Sequence, residues 1–184
     1  MKTEQWKNDI DAITEAFATQ FQSHNEAELN WKPQADVWSV AQNIHHLMVI
    51  NQTYYPVIDR VREGKYTLPA HASWKWLVRF FGNFILKSVL PDRRRKMKTF
   101  PLWEPAQSLL SINVLSDFKK HQTELKGYID SCADLIAAGT VISSPANRSI
   151  VYTLEAAFDI IVTHEKRHLQ QAIEVDSLRR SKSA

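Results

Sequence analysis

HEKRH, His164 to His168, is the stretch on which the fold turns. Residues four apart on an α-helix lie one above the other, so both imidazoles reach toward one point. The string also satisfies H-E-x-x-H, the helical zinc-protease motif whose glutamate acts as general base. A protease needs a third ligand, and the flanking sequence does not supply one. In the extended motif a glycine breaks the helix and returns a further histidine. Here those two positions are Gln171 and Glu174, with nothing to break the helix. A ligand from a later helix is not expected either, with 16 residues after His168. The histidine pair therefore belongs to a site completed from upstream.

The same segment shows which way the pair faces. Leu154, Ala157, Phe158, Ile161, His164, Glu165, His168 and Ala172 share one broad helical face. Thr153 is placed to cap that helix, and Glu155 in the first turn suits its dipole. Three more segments carry apolar residues at helical spacing. The first is marked by Trp6, Ile10, Ile13, Phe17 and Phe21. The second opens at a Ser39–Gln42 capping box preceded by Trp38, and runs through Ile44, Leu47, Ile50, Tyr54, Val57 and Val61 to a stop at Gly64. The third is expected from about Pro105 to about Ala138, with Leu109, Ile112, Leu115, Phe118, Leu125, Ile129, Cys132 and Ile136 as its stripe. Its connection to the last helix, as far as Ile150, reads as a loop.

Residues 68–105 differ in character. They hold three of the six tryptophans and four of the seven prolines, with Ser73 placed to cap a short helix bearing Leu77, Phe80, Phe81, Phe84 and Ile85. Four glycines in all disfavour a turn-rich β architecture. The expected fold is all-α: a four-helix bundle with a long crossover between helices two and three that carries an extra amphipathic helix. One domain is expected to span residues 1–184, with a frayed tail from Arg179.

Composition narrows the setting. A hydrophobic share of 44% with 23% charge is that of a soluble globular protein. A single cysteine, Cys132, excludes an internal disulfide framework and fits a reducing compartment. Residues 1–13 lack the apolar core of a signal peptide, and no apolar run approaches the roughly 20 residues of a membrane span. A cytoplasmic location is the expectation. The net charge of +3 is uneven, since Lys87 to Lys98 holds six bases against Asp92. That run is read as a solvated loop or a salt-bridged helix end; nucleic-acid and membrane partners are not expected.

Bundles build metal sites from facing helices. Helix two offers His45 and His46, which point about 100° apart, so only one can join the pair. Periodicity leaves the choice open: His46 falls with Asn43, Ile50 and Val57, and His45 with Ala41, Val49 and Gln52.

WSVAQNIHHL, Trp38 to Leu47, resembles the W-S-x-x-E-x-x-x-H-L motif of the DinB/YfiT-like superfamily. HEKRHLQQ, His164 to Gln171, resembles its C-terminal H-x-x-R-H-x-x-Q motif. The family ligand aligns with His46, so the resemblance implies a metal triad of His46, His164 and His168. Gln42 departs from the glutamate of many members, and the crossover is similar to relatives with an insert there. The resemblance further implies a divalent ion, zinc or nickel first, and a low-molecular-weight thiol cofactor. The expected activity is a metal-dependent thiol S-transferase of detoxification acting on a small-molecule substrate. The alternatives are a metal-dependent hydrolase of amides or esters, and a non-enzymatic dimeric bundle binding a ligand or partner through the Trp74–Ile85 helix. A homodimer is expected, with Phe80, Phe81 and Phe84 as core or dimer contacts. Glu165 stays a weak catalytic candidate beside two other roles, orienting an imidazole or facing solvent. Arg167 is expected in an ion pair, and Gln171 near the site.

Overall fold

The structure is a computed structural model and describes residues 2–92 and 99–183. Most of the basic run, Arg93 to Lys98, lies outside the described residues. In chain order the elements are α1 (Lys2–Phe21), α2 (Glu26–Asn30), α3 (Val40–Gln52), α4 (Tyr55–Arg62), α5 (Lys75–Ser88), α6 (Val114–Ser131), α7 (Ala133–Ala137), β1 (Val141–Ser144), β2 (Asn147–Thr153) and α8 (Leu154–Ser183).

Helices α1, α3, α6 and α8 form the expected four-helix bundle. Both α6 and α8 pack on α1 and on α3, so α1 and α3 occupy opposite corners. Trp6, Ile10, Ile13, Phe17 and Phe21 of α1 are all buried, as their spacing requires. They meet Phe118, Leu125 and Ile129 of α6 and Phe158 and Ile161 of α8 in one continuous core. Helix α3 starts where its capping box places it. Ser39 Oγ accepts from the Gln42 N–H at 3.1 Å, and Gln42 Oε1 accepts from the Ser39 N–H at 3.2 Å. Such a cap is worth about 1 kcal/mol. Thr153 caps α8 by accepting from the Ala156 N–H at 3.1 Å. Among the described residues, no helix is long and apolar enough to cross a membrane.

The structure departs from expectation in several places; among them, the third helix is interrupted at Cys132, between α6 and α7. Helix two breaks after Gln52, because Pro56, at the start of α4, has no N–H to donate to the Gln52 carbonyl. Helix α6 begins at Val114 rather than near Pro105; Leu109 is 79% exposed and Ile112 50%. The extended segment before it is held by distant groups instead. Asn30 bonds the Leu110 carbonyl at 2.8 Å and the Leu110 N–H at 2.9 Å, and Gln42 donates to the Ala106 carbonyl at 3.0 Å. Ser73 closes a 3-10 turn onto the Ala70 carbonyl at 2.8 Å rather than capping α5. The expected loop after α7 contains an antiparallel hairpin pairing Ile142 with Tyr152 and Ser143 with Val151. Its β-branched residues bury Ile142 and Val151 against the helices. Arg179 reaches Glu28 at 2.7 Å and Asp176 at 2.9 Å, which ties the end of α8 to α2.

The crossover helix α5 lies on α8 and β2. Gly82 makes this possible: a Cβ there would stand 3.3 Å from the Ala156 Cβ. Contact at that distance lets the helix sit low enough to wall one side of the groove described next.

Candidate metal centre

His46 projects from the second turn of α3, and His164 and His168 project from successive turns of α8. Because α3 and α8 are neighbours in the bundle, the three rings converge. Ring centroids lie 5.2 Å (His46–His164), 4.7 Å (His46–His168) and 4.4 Å (His164–His168) apart. One nitrogen from each lies within 4.8 Å of the other two. His45, the alternative that periodicity left open, turns away and accepts from the Ala106 N–H at 3.4 Å.

Hydrogen bonds fix which nitrogens face inward. His46 Nδ1 is 2.5 Å from the Trp103 carbonyl oxygen. A carbonyl only accepts, so Nδ1 carries the proton and Nε2 keeps its lone pair. His168 Nδ1 is 2.7 Å from Asn43 Oδ1. The Asn43 amide cannot be turned the other way, because its Nδ2 donates to the Ser39 carbonyl at 2.9 Å. His168 therefore also presents an Nε2 lone pair, 3.0 Å from His164 Nε2. In the metal-free chain His164 Nε2 must carry the proton between them. A tetrahedral ion with bonds of about 2.0–2.1 Å would hold its nitrogens about 3.3 Å apart. The pair is thus already spaced for an ion to take that proton's place.

Electrostatics favour the ligating form. Burial pushes the His46 imidazole down to about 4, with His45 adding to the effect. Burial also holds His168 and His164 well below the usual histidine range, and the neighbouring rings and Arg167 push the same way. All three are neutral at neutral pH, which is the state that binds metal. Trp38 covers the centre, its ring 4.6 Å from His46 and 5.8 Å from His168. The donor set, the tautomers of His46 and His168 and the neutral charge state fit a divalent ion.

The centre opens into a groove of about 970 Å³, whose walls include Trp38, Tyr54, Phe100, Trp103, Tyr152 and Arg167. Trp103 straps the crossover to α3 twice, through its carbonyl at His46 and through its indole N–H to Thr53 at 3.2 Å. Arg167 donates to the Ser88 carbonyl at the end of α5 at 2.8 Å. Gln171 lines the groove.

Glu165 is turned elsewhere. Its side chain is fully buried in the bundle core, where Asn51 and Gln122 each donate to one carboxylate oxygen at 2.7 Å. Asn51 Nδ2 also lies 3.2 Å from His121 Nε2. Burial raises the Glu165 carboxyl to about 7 against the lowering effect of these amides. It neither faces solvent nor stands among the converging histidines, so the general-base role of an H-E-x-x-H site has no geometric support. Sequence reasoning missed Asn51, His121 and Gln122. Their only signal was polar side chains at core positions of helical stripes.

A family profile described as the DinB superfamily matches residues 9–172. No curated protein matches the chain. Among solved structures, the chain is similar to YfiT from Bacillus subtilis, described as a probable metal-dependent hydrolase with an unusual four-helix bundle topology. The TM-score is 0.58 at 14% identity, over 97% of this chain and 87% of that one. The likeness is one of fold.

Two outcomes follow from this geometry. Asn43→Ala should weaken zinc binding by about 10–100-fold in a chelator-dye competition, because the imidazole of His168 loses its orienting acceptor; unchanged affinity would contradict the tautomer assignment. Burial also pushes His121 down to about 4, against roughly 6.5 unfolded. The unfolded chain then binds more protons between those values. The stability His121 contributes is present above about 6.5 and is lost as pH falls toward 4. In urea titrations with chelator, His121→Gln should reduce the loss of stability between about pH 7 and 5 by roughly 1–2 kcal/mol. An identical pH profile would contradict it.

Proposed function

The chain belongs to the DinB superfamily, and on that premise we propose that it is a metal-dependent enzyme joining a low-molecular-weight thiol to a small electrophile. The supporting observation is the donor set: three neutral imidazoles with no carboxylate among them. Held by His46, His164 and His168, a divalent ion would keep its full charge, and as a Lewis acid it would lower the pKa of a bound water or deprotonate a bound thiol. Zinc and nickel both suit imidazole ligands.

The chain's own residues supply position and exclusion. The Trp103 carbonyl and Asn43 hold two rings with their lone pairs inward, and Trp38 shields them. A groove of about 970 Å³ has room for a thiol and its acceptor together. With Glu165 in the core, the glutamate of the H-E-x-x-H string does not serve as a base, and the carboxylates that line the groove, Asp36, Glu104 and Glu174, stand outside the histidine cluster. Thiol chemistry needs none: the S–H proton leaves to solvent through the groove, the S–C bond forms, and the leaving group departs with its electron pair. Hydrolysis of an amide or ester is the second possibility, in keeping with the description of YfiT. It would have to draw its base from those groove carboxylates, since Glu165 is held in the core.

The two part in one assay. Zinc- or nickel-loaded protein is offered bacillithiol, mycothiol or glutathione with monochlorobimane, and p-nitrophenyl esters without thiol. Saturable, metal-dependent conjugation that disappears in a folded His46→Ala variant is the expected result. Ester cleavage without thiol, and no conjugation with any thiol, would favour the hydrolase instead.

A further inference from the structure

Helix α5 has two unlike faces. Its inner face puts Val78 and Gly82 against α8 and the hairpin, with Ala72 and Val151 alongside. Its outer face repeats an aromatic residue each turn: Trp76 is 67% exposed, Phe80 55% and Phe84 51%, with Trp74 at 55% just before the helix. Four large aromatics in water on one ridge mark a surface that is covered in use.

The charged residues on this ridge are all of one sign. Lys75 and Arg79 stand exposed beside Trp76 and Phe80 and border a shallow cleft with Asn83. Lys87 is exposed in the last turn. From Gly64 to Pro91 the chain contains no aspartate or glutamate. Aromatic rings that sit at the headgroup level, flanked by cations, are the composition of helices that lie on membrane surfaces.

We propose that the outer face of α5 docks on an anionic lipid surface. Trp76, Phe80 and Phe84 enter the headgroup region, and Lys75 and Arg79 pair with anionic headgroups. A second copy of the chain fits this face less well. A two-fold contact would set Lys75 and Arg79 of one copy against the like charges of the other, and residues 64–91 contain no aspartate or glutamate. Single-stranded nucleic acid fits less well too, since it needs ring faces free for bases. Here Trp74 lies near-parallel to Trp76 (6.4 Å, 13°) and Phe80 to Phe84 (6.1 Å, 17°), so the rings of each pair are too close together to take a base between them. The docking does not depend on the metal centre and can hold or fail separately from it.

The test is co-sedimentation of the full chain with vesicles of phosphatidylcholine alone and of phosphatidylcholine containing phosphatidylglycerol. Sedimentation velocity of the free protein and binding to a single-stranded oligonucleotide run alongside. Binding to the anionic vesicles should be at least about tenfold tighter, weaken with salt, and shift tryptophan emission to the blue. Trp76→Ser with Phe80→Ser, and separately Lys75→Glu with Arg79→Glu, should each weaken it by about tenfold or more while melting temperature holds, since all four side chains are exposed. No vesicle binding, equal binding to both vesicles, a dimer that these variants dissociate, or preference for the oligonucleotide would each overturn the proposal.

Discussion

The hydrogen bond from His168 Nδ1 to Asn43 Oδ1, 2.7 Å long, joins the first turn of α3 to the middle of α8. It is the end of a short causal chain that begins in local sequence. The Ser39–Gln42 capping box fixes where α3 starts, and the Ser39 carbonyl then takes the Asn43 amide N–H. That leaves the Asn43 oxygen no choice but to face α8. His168 is forced into one tautomer, its free nitrogen meets His164, and His46, one turn beyond Asn43, arrives beside both. A helix cap, worth about 1 kcal/mol in stability, thus decides the lone-pair geometry of the centre.

An adjoining strip of α8 carries a second constraint. Glu165 sits one residue from His164 yet lies in the core, clamped by an amide from α3 and another from α6. Burying a carboxyl is unfavourable unless its oxygens are bonded, and here both are. The two bonds set the rotation of α8 about its axis. If α8 turned to bring Glu165 to the groove, both amides would lose their acceptor and the histidines would leave the centre. The glutamate that makes HEKRH look like a protease motif is thus placed to act on the scaffold rather than the chemistry.

Much of this could be read from the sequence, and the omissions have a common cause. Stripes, caps and the His164–His168 spacing are local, and they located the bundle, the starts of α3 and α8, and the pair itself. His46 was selected over His45 only by family resemblance, because the partner that orients it is the Trp103 backbone carbonyl, which carries no sequence signature. The false helical start near Pro105 arose because Leu109, Ile112 and Leu115 happen to continue the stripe. The true conformation is set by Asn30, 80 residues away. The hairpin was missed for the opposite reason: Val141, Ile142, Ile150 and Val151 make too short a pattern to read, and burial against the helices gives them their shape. Local chemistry was legible, whereas long-range bonds to backbone atoms were not.

Whether helices α3 and α8 share one ion is read from metal content by elemental analysis after loading with zinc or nickel and desalting, wild type against His46→Ala. About one ion per wild-type chain is expected, with almost none in the variant and its helical circular dichroism unchanged. Equal metal in both proteins, or none in the wild type, would contradict the three-histidine centre.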